Sequence, residues 1–261
     1  MSRRLELIGL DGIPEVQPGD DIGRFIAEAA RGDHIGLRDD DVLVVTQKIV
    51  SKAEARVVDL ATVEPSPLAR TFARRWDRDA RQIELVLRES DQIVRTGPGG
   101  LIIGRTRHGF VCANAGVDLS NVPGGDSATL LPLDPDGSAR GLRDRLRELT
   151  GAGPAIVISD SFGRPWRNGI VNVAIGAAGI DALLDLRGEP DAQGRPMRAT
   201  VVAVADELAS AADLAGGKVD QRPVVLIRGY AYRAGDASDG AGAADAGARA
   251  LVMDVANDLF R

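Results

Sequence analysis

Two patterns of apolar residues alternate along this chain, and each predicts a different element. The runs VLVV at 42–45 and AIVI at 155–158 have no polar interruption, which marks strands covered on both faces. Shorter extended candidates stand at 5–10, 101–103, 110–113, 200–205 and 224–228. Helical spacing begins after Asp20 or Asp21 as cap and runs over 22–31, with Ile22, Phe25, Ile26 and Ala29 on one face. A longer helical stretch over 65–91 starts with Ser66 and Pro67 as cap and first position, and breaks near Asp77. Ser138 offers the cap of the next helix, Leu142, Leu146 and Leu149 its buried stripe, and Gly151 its stop. The small-residue segment DELASAADLAGG reads as a helix joining the last two strand candidates, and a closing helix over 241–260 turns Leu251, Val252, Val255 and Leu259 inward. Alternating strands and helices predict an α/β fold with mixed sheets and flanking helices.

Composition narrows the picture. The 261 residues suffice for one large or two modest domains, and with 44% apolar residues a real core can be buried. A net charge of -6 gives no basic footprint for DNA or RNA. No run of about 18 apolar residues predicts a membrane span, the opening residues lack an apolar h-region, and the expected compartment is the cytoplasm. Cys112 is the single cysteine, which excludes an intramolecular disulfide or a cysteine zinc cluster; its place in a strand pattern assigns it to the core. His34 and His108 stand without a catalytic partner at recognisable spacing and read as turn residues.

Two apolar strands end alike: FVCANAGVD delivers Asp118, and AIVISD delivers Asp160 followed by Ser161. Carboxylates from separate strand ends suit a hard cation such as Mg or Mn, with a hydroxyl as a further oxygen ligand. The alternative is local, with Asp118 capping a turn through Ser120 or Asn121 and Asp160 capping the segment after it. Of 32 basic residues only Lys48, Lys52 and Lys218 are lysines. A compact ammonium is not interchangeable with a guanidinium at a phosphate, so the three are phosphate candidates. Lys48 and Lys52 lie four residues apart in TQKIVSKAEA, and Lys218 follows Gly216 and Gly217, which permit close backbone approach to an anion. Neither segment is a Walker loop. Beyond Ser161, an exit loop carries Arg164, Arg167 and Asn168 as anion-pairing candidates and Trp166 as its anchor or, alternatively, as a stacking surface for a planar ring.

Taken together, GIPEV, DDVLVVTQKIVSKAEAR, VCANAGVDLSNV, LLPLDPDGSA, ISDSFGRPWRNG, VAIGAAGI, VVAVADELASAADL and PVVLIRG resemble the coenzyme F420-0:gamma-glutamyl ligase family, often called CofE, which also forms the N-terminal part of the FbiB proteins. The likeness spans essentially the whole chain in order. It implies a single ligase unit over 1–261, of one or two lobes, in the stand-alone form without a nitroreductase-like domain, and an intertwined homodimer. It further implies joining of L-glutamate to the deazaflavin precursor F420-0 at the expense of GTP, with two divalent ions (Mg or Mn) and a monovalent K. Metal ligands are implied at Asp118, Asp160 and Ser161, and nucleotide contacts at Ile13, Pro14, Glu15 and Val16, at Gln47, Lys52 and Asn121, and over 215–222, including Gly216, Gly217 and Lys218. Asp118, Asp160 and Lys52 are the implied catalytic set. The family pattern has serine and threonine where Gln47 and Lys48 stand, and a metal-binding glutamate near Gly217, for which Asp220 or Glu207 are the substitutes in reach. Acidic strand ends and phosphate-gripping lysines also suit a metal-dependent nucleotide phosphohydrolase, or a GTP-binding module without catalysis.

Overall fold

The computed structural model describes residues 4–119, 126–218, 220–234 and 246–258. In chain order the elements are β1 (Glu6–Gly9), α1 (Ile22–Gly32), β2 (Val42–Thr46), α2 (Gln47–Ala53), β3 (Val57–Asp59), α3 (Pro67–Trp76), α4 (Ala80–Arg88), β4 (Ser90–Thr96), β5 (Ile102–Thr106) and β6 (Val111–Ala113). There follow β7 (Ser127–Thr129), α5 (Pro135–Thr150), β8 (Ala155–Arg164), β9 (Arg167–Ala178), β10 (Leu184–Asp185), β11 (Val201–Val202), α6 (Val204–Gly216) and β12 (Val224–Arg228). The fold is α/β, as the alternation predicts. No helix among the described residues is long and apolar enough to cross a membrane.

The two uninterrupted apolar runs are neighbours. The main sheet has the order β1-β12-β2-β8-β9; β2 and β8 are parallel and every other pair is antiparallel. Successive strand residues face opposite ways, so each run feeds two cores. Leu43, Val45, Ile156, Ile158 and Leu226 pack with Ile26 of α1, Ile49 of α2 and Leu146 of α5. Val42, Val44, Val157, Val225 and Ile227 pack with Ala205, Leu208, Ala209 and Ala212 of α6. Helices on both faces therefore demand an apolar residue at every position of 42–45 in β2 and of 155–158 in β8. Each full burial of a valine, leucine or isoleucine contributes on the order of 2 kcal/mol.

A second group of elements surrounds separate cores. The sheet β4-β5-β6 and helices α3 and α4 enclose Ala69, Ala73, Ile83, Val86, Ile102 and Ala115, while Leu60, Val63, Leu85, Ala128 and Leu130 pack near the β3-β7 pair. Ser66 caps α3 by accepting from the Ala69 N–H, and Asp77 ends it in the left-handed region, so the break expected near Asp77 is real. Asp79 then caps α4.

Four sequence expectations change. Helix α5 starts one turn earlier than Ser138: Asp134 is its cap, accepting from the Gly137 N–H at 2.9 Å, and Pro135 holds the first position. The segment over 200–205 is divided, with only Val201–Val202 extended before α6 begins at Val204. In place of a closing helix, residues 246–258 hold two short 3-10 turns, Gly247–Leu251 and Val255–Asn257; Leu259 lies outside the described residues. Asp136, distant in sequence, accepts the Ala248 and Arg249 N–H groups, and Asp254 caps its own turn through the Ala256 N–H, so one long-range and one local acceptor displace the helical ladder. Finally, the exit loop after Ser161 is a hairpin. β8 continues to Arg164, β9 begins at Arg167, and Trp166 takes the left-handed position between them. Trp166 is 83% exposed and does not anchor in the core.

Candidate functional site

Strand β2 stops at Thr46, opposite Ser159, and the chain turns directly into α2; its parallel neighbour β8 runs on through Asp160 and Ser161. That divergence opens a cleft at the carboxyl end of β2, where the parallel ladder with β8 stops, a place at which ligands collect in open α/β sheets. A cavity of about 930 Å³ occupies it, within the size range of small-molecule sites.

Each wall has its own source. From the loop after β1 come Ile13, Pro14, Glu15 and Val16; from α2, Gln47, Lys48 and Lys52; from β8, Ser159, Asp160, Ser161 and Phe162; and from the far side, Gly217 and Lys218. Asp118 arrives from the second group of elements. It follows a left-handed turn in which Asn114, Ala115 and Gly116 all have positive φ, and it is bridged to Thr129 through reciprocal backbone bonds at 2.9 and 2.8 Å. Left-handed backbone at non-glycine residues costs about 1–3 kcal/mol each, so the surrounding packing holds this turn against its own preference. Its Ala115 is 2% exposed.

The lysines meet acidic partners across the cavity. Lys48 Nζ lies 2.8 Å from Asp118 Oδ2, and Lys52 Nζ lies 2.5 Å from Glu15 Oε1. Lys218 Nζ donates to Ser161 Oγ and stands 3.9 Å from Asp213 Oδ1. Gln47 is held inside α2, its Oε1 accepting from Ser51 Oγ at 2.7 Å. Burial pushes Asp160 up to about 6; donation from the Ser161 N–H, Lys218 and Lys48 work against that rise, and Asp118 adds to it. Ser159 Oγ is buried and finds no hydrogen-bond partner among the described residues. Cys112 lies on the same wall, but burial pushes its thiol up to about 12, with Asp160 adding to the rise, which rules out a thiolate nucleophile near neutral pH.

Other candidates lie elsewhere. Gly216, the buried last residue of α6, does not line the cavity, and neither do Arg164, Arg167 or Asn168. Asn121 lies outside the described residues. His34 takes a left-handed turn; His108 also sits in a turn, its Nε2 3.1 Å from Leu133 O and its pKa lowered mainly by burial. Gly217 has φ +66°, and a Cβ there would fall 2.0 Å from Asp220 Oδ2, so Asp220 occupies the space of a side chain at 217. Neither Asp220 nor Glu207 lines the cavity. Two residues that do, Asn172 of β9 and Asp213 of α6, escaped sequence reasoning. One signal was present: Asp206, Ser210 and Asp213 form a polar i, i+4, i+7 stripe on a helix whose other residues, apart from Glu207, are small or apolar.

The donors suit a hard divalent cation, since Asp118, Asp160 and Ser161 offer only oxygen. Among the described residues no three acidic, histidine or cysteine side chains converge in a metal-holding group. A cation here would therefore take further oxygens from water and a substrate phosphate, the habit of Mg. The arrangement fits anion activation better than acid–base work: opposite charges line the walls, and neither histidine reaches them.

A model of the F420-0:gamma-glutamyl ligase family matches residues 12–229. The coenzyme F420:L-glutamate ligase of Methanothermobacter thermautotrophicus is 45% identical over 258 residues, covering 98% of this chain and 99% of its own. That of Methanopyrus kandleri is 45% identical over 259 residues, covering 99% and 97%, and that of Haloarcula marismortui 39% identical over 264 residues, covering 98% and 96%.

Proposed function

The chain belongs to the F420-0:gamma-glutamyl ligase family, and from that premise we propose that it joins L-glutamate to F420-0 with GTP as the energy source, then extends the product by γ-linked glutamates. The observation that carries this reading is the meeting of Asp118, from the turn after β6, and Asp160, from β8, in one cavity lined by Lys48, Lys52 and Lys218.

An amine does not displace oxygen from a free carboxylate, so the acceptor must first be activated. A carboxylate oxygen of the acceptor attacks the γ-phosphorus of GTP, GDP departs, and an acyl phosphate remains. The amine of glutamate then attacks the acyl carbon, phosphate leaves with the C–O bond electrons, and the amine's proton passes to solvent. Asp118, Asp160 and Ser161 would hold Mg or Mn, which when bound neutralises charge on the transferring phosphoryl group and is worth several kcal/mol. Lys52 releases Glu15 to grip phosphate, and Ile13, Pro14 and Val16 shape the wall beside it. Burial of the acceptor carboxylate in the cavity removes the water that would hydrolyse the acyl phosphate.

The direct test incubates the protein with F420-0, L-glutamate, GTP, Mn or Mg, and K, and follows products by mass spectrometry. Glutamate-sized mass increments that require GTP are expected. GTP cleavage indifferent to acceptor and glutamate would instead favour a phosphohydrolase.

A further inference from the structure

Ser161 and Asn172 are directly opposed across the β8-β9 pair, which places their side chains on the same face. Asn172 is 5% exposed and every polar atom of its side chain is engaged. Its Nδ2 donates to Asp213 Oδ1 at 3.0 Å, and its Oδ1 accepts from Ser161 Oγ at 2.7 Å. The direction of these bonds follows from chemistry. A carboxylate only accepts, so the amide nitrogen faces Asp213; the amide oxygen then faces Ser161 and takes its single hydroxyl proton. Ser161 Oγ is thereby left as an acceptor on its cavity side; the Lys218 ammonium takes one of its two lone pairs, and the other remains for a cation. Helix α6 fixes the whole chain of bonds, because Ser210 Oγ donates to Asn172 O at 2.7 Å and Asp206 Oδ1 accepts the Ala174 N–H at 2.8 Å.

We propose that Asn172, oriented by Asp213, is a positioning residue that commits the Ser161 hydroxyl to act as a pure acceptor toward a cation in the cavity. The proposal rests on the reading of Ser161 as a metal-facing oxygen. An unrestrained hydroxyl points its proton at the cavity part of the time and repels a cation when it does. The Asn172–Asp213 pair removes that state before the ligand arrives, which is preorganisation by a hydrogen-bonded partner one step removed from the metal.

Equilibrium binding of Mn²⁺ alone, read from the electron paramagnetic resonance of the free ion, tests this without turnover. Asn172→Leu is expected to weaken Mn²⁺ binding about 10-fold, the low end of the range for partners of metal ligands. Asp213→Asn, nearly isosteric, is expected to act in the same direction, since it lets the Asn172 amide flip and donate to Ser161; it serves as the second variant if Asn172→Leu does not fold. Ser161→Ala supplies the cycle: if Asn172 works through Ser161, adding Asn172→Leu to Ser161→Ala weakens binding no further. Multiplying effects in the double variant, or unchanged affinity in both Asn172→Leu and Asp213→Asn, would overturn the proposal while leaving the metal site standing. Wild-type affinity in Ser161→Ala would overturn the metal role of Ser161 and the proposal with it.

Discussion

The two ends of the β2-β8 pair treat charge in opposite ways. Just before β2, Asp41 is 0% exposed and fully bonded: Arg228 Nε and Nη2 donate at 2.8 and 2.7 Å, and the Arg38 N–H donates at 2.9 Å. Arg228 spends a further bond on Gly36 O, so this ion pair is closed on itself. At the opposite end, Asp160 is desolvated beside a second carboxylate and Ser159 Oγ lacks a partner among the described residues. Four lining residues there, Lys48, Lys52, Asp118 and Glu15, pair across the gap between different elements rather than within one. A closed pair stabilises only the fold. An open set holds charge that a ligand can claim.

The contrast can be broken in three ways. Asp160→Ala should lower turnover about 10³-fold or more while the protein stays folded, the size of effect expected in the proposed phosphoryl transfer when a charge-stabilising group is lost; near-normal GDP release by a folded variant would remove Asp160 from the mechanism. Asp41→Ala should do the reverse, costing ~3–5 kcal/mol in denaturant unfolding because Arg228 is left without its partner, with kcat unchanged in the protein that stays folded. The smallest effect concerns pH. Asp160 titrates in the folded protein at about 6 against an ordinary 3.8, so the folded state holds the extra proton between those values. The stability this group contributes is therefore present at low pH and is lost as pH rises through about 6. Asp160→Asn escapes that loss. In metal-free buffer its advantage over wild type should widen by on the order of 2 kcal/mol between about pH 4.5 and about pH 7.5, and a constant difference across that range would mean that Asp160 is not held up by burial.

Regions governed by burial were the legible ones. Val42, Val44, Val157 and their neighbours betray a doubly covered sheet because no polar residue is tolerated on either face. Gly151 and the Ser66–Pro67 pair betray helix ends because their backbone demands are local. Asp118, Asp160 and Ser161 were readable as converging oxygens, and the structure brings them to one cavity; the expected strand ends do not hold, since Asp118 follows β6 by five residues and Asp160 and Ser161 lie within β8, whose hairpin carries the strand on to Arg164. Asn172 was not readable, since its role depends on a cross-strand register and on a helix docked from elsewhere in the chain. The true cap of α5 was hidden for a simpler reason. Asp134 and Ser138 are both competent caps, and Ser138 instead turns its hydroxyl to Glu54 Oε1 and Asp134 O. Helical spacing of Leu251, Val252 and Val255 misled because Asp136, far away in sequence, takes the N–H groups that a helix would have used internally.

The stripe on α6 has a second consequence, for how copies of the molecule meet. β9 is an outer strand of the main sheet, and a bare strand margin is a template on which another chain can lay a strand of its own. Over residues 172–174 that margin is taken: Asp206 claims the Ala174 N–H and Ser210 the Asn172 carbonyl, from a helix of the same chain. Side chains thus stand in for a missing neighbour strand, and they end the sheet where it borders the cavity. The groups that steady the site also close this stretch of its margin to a further strand.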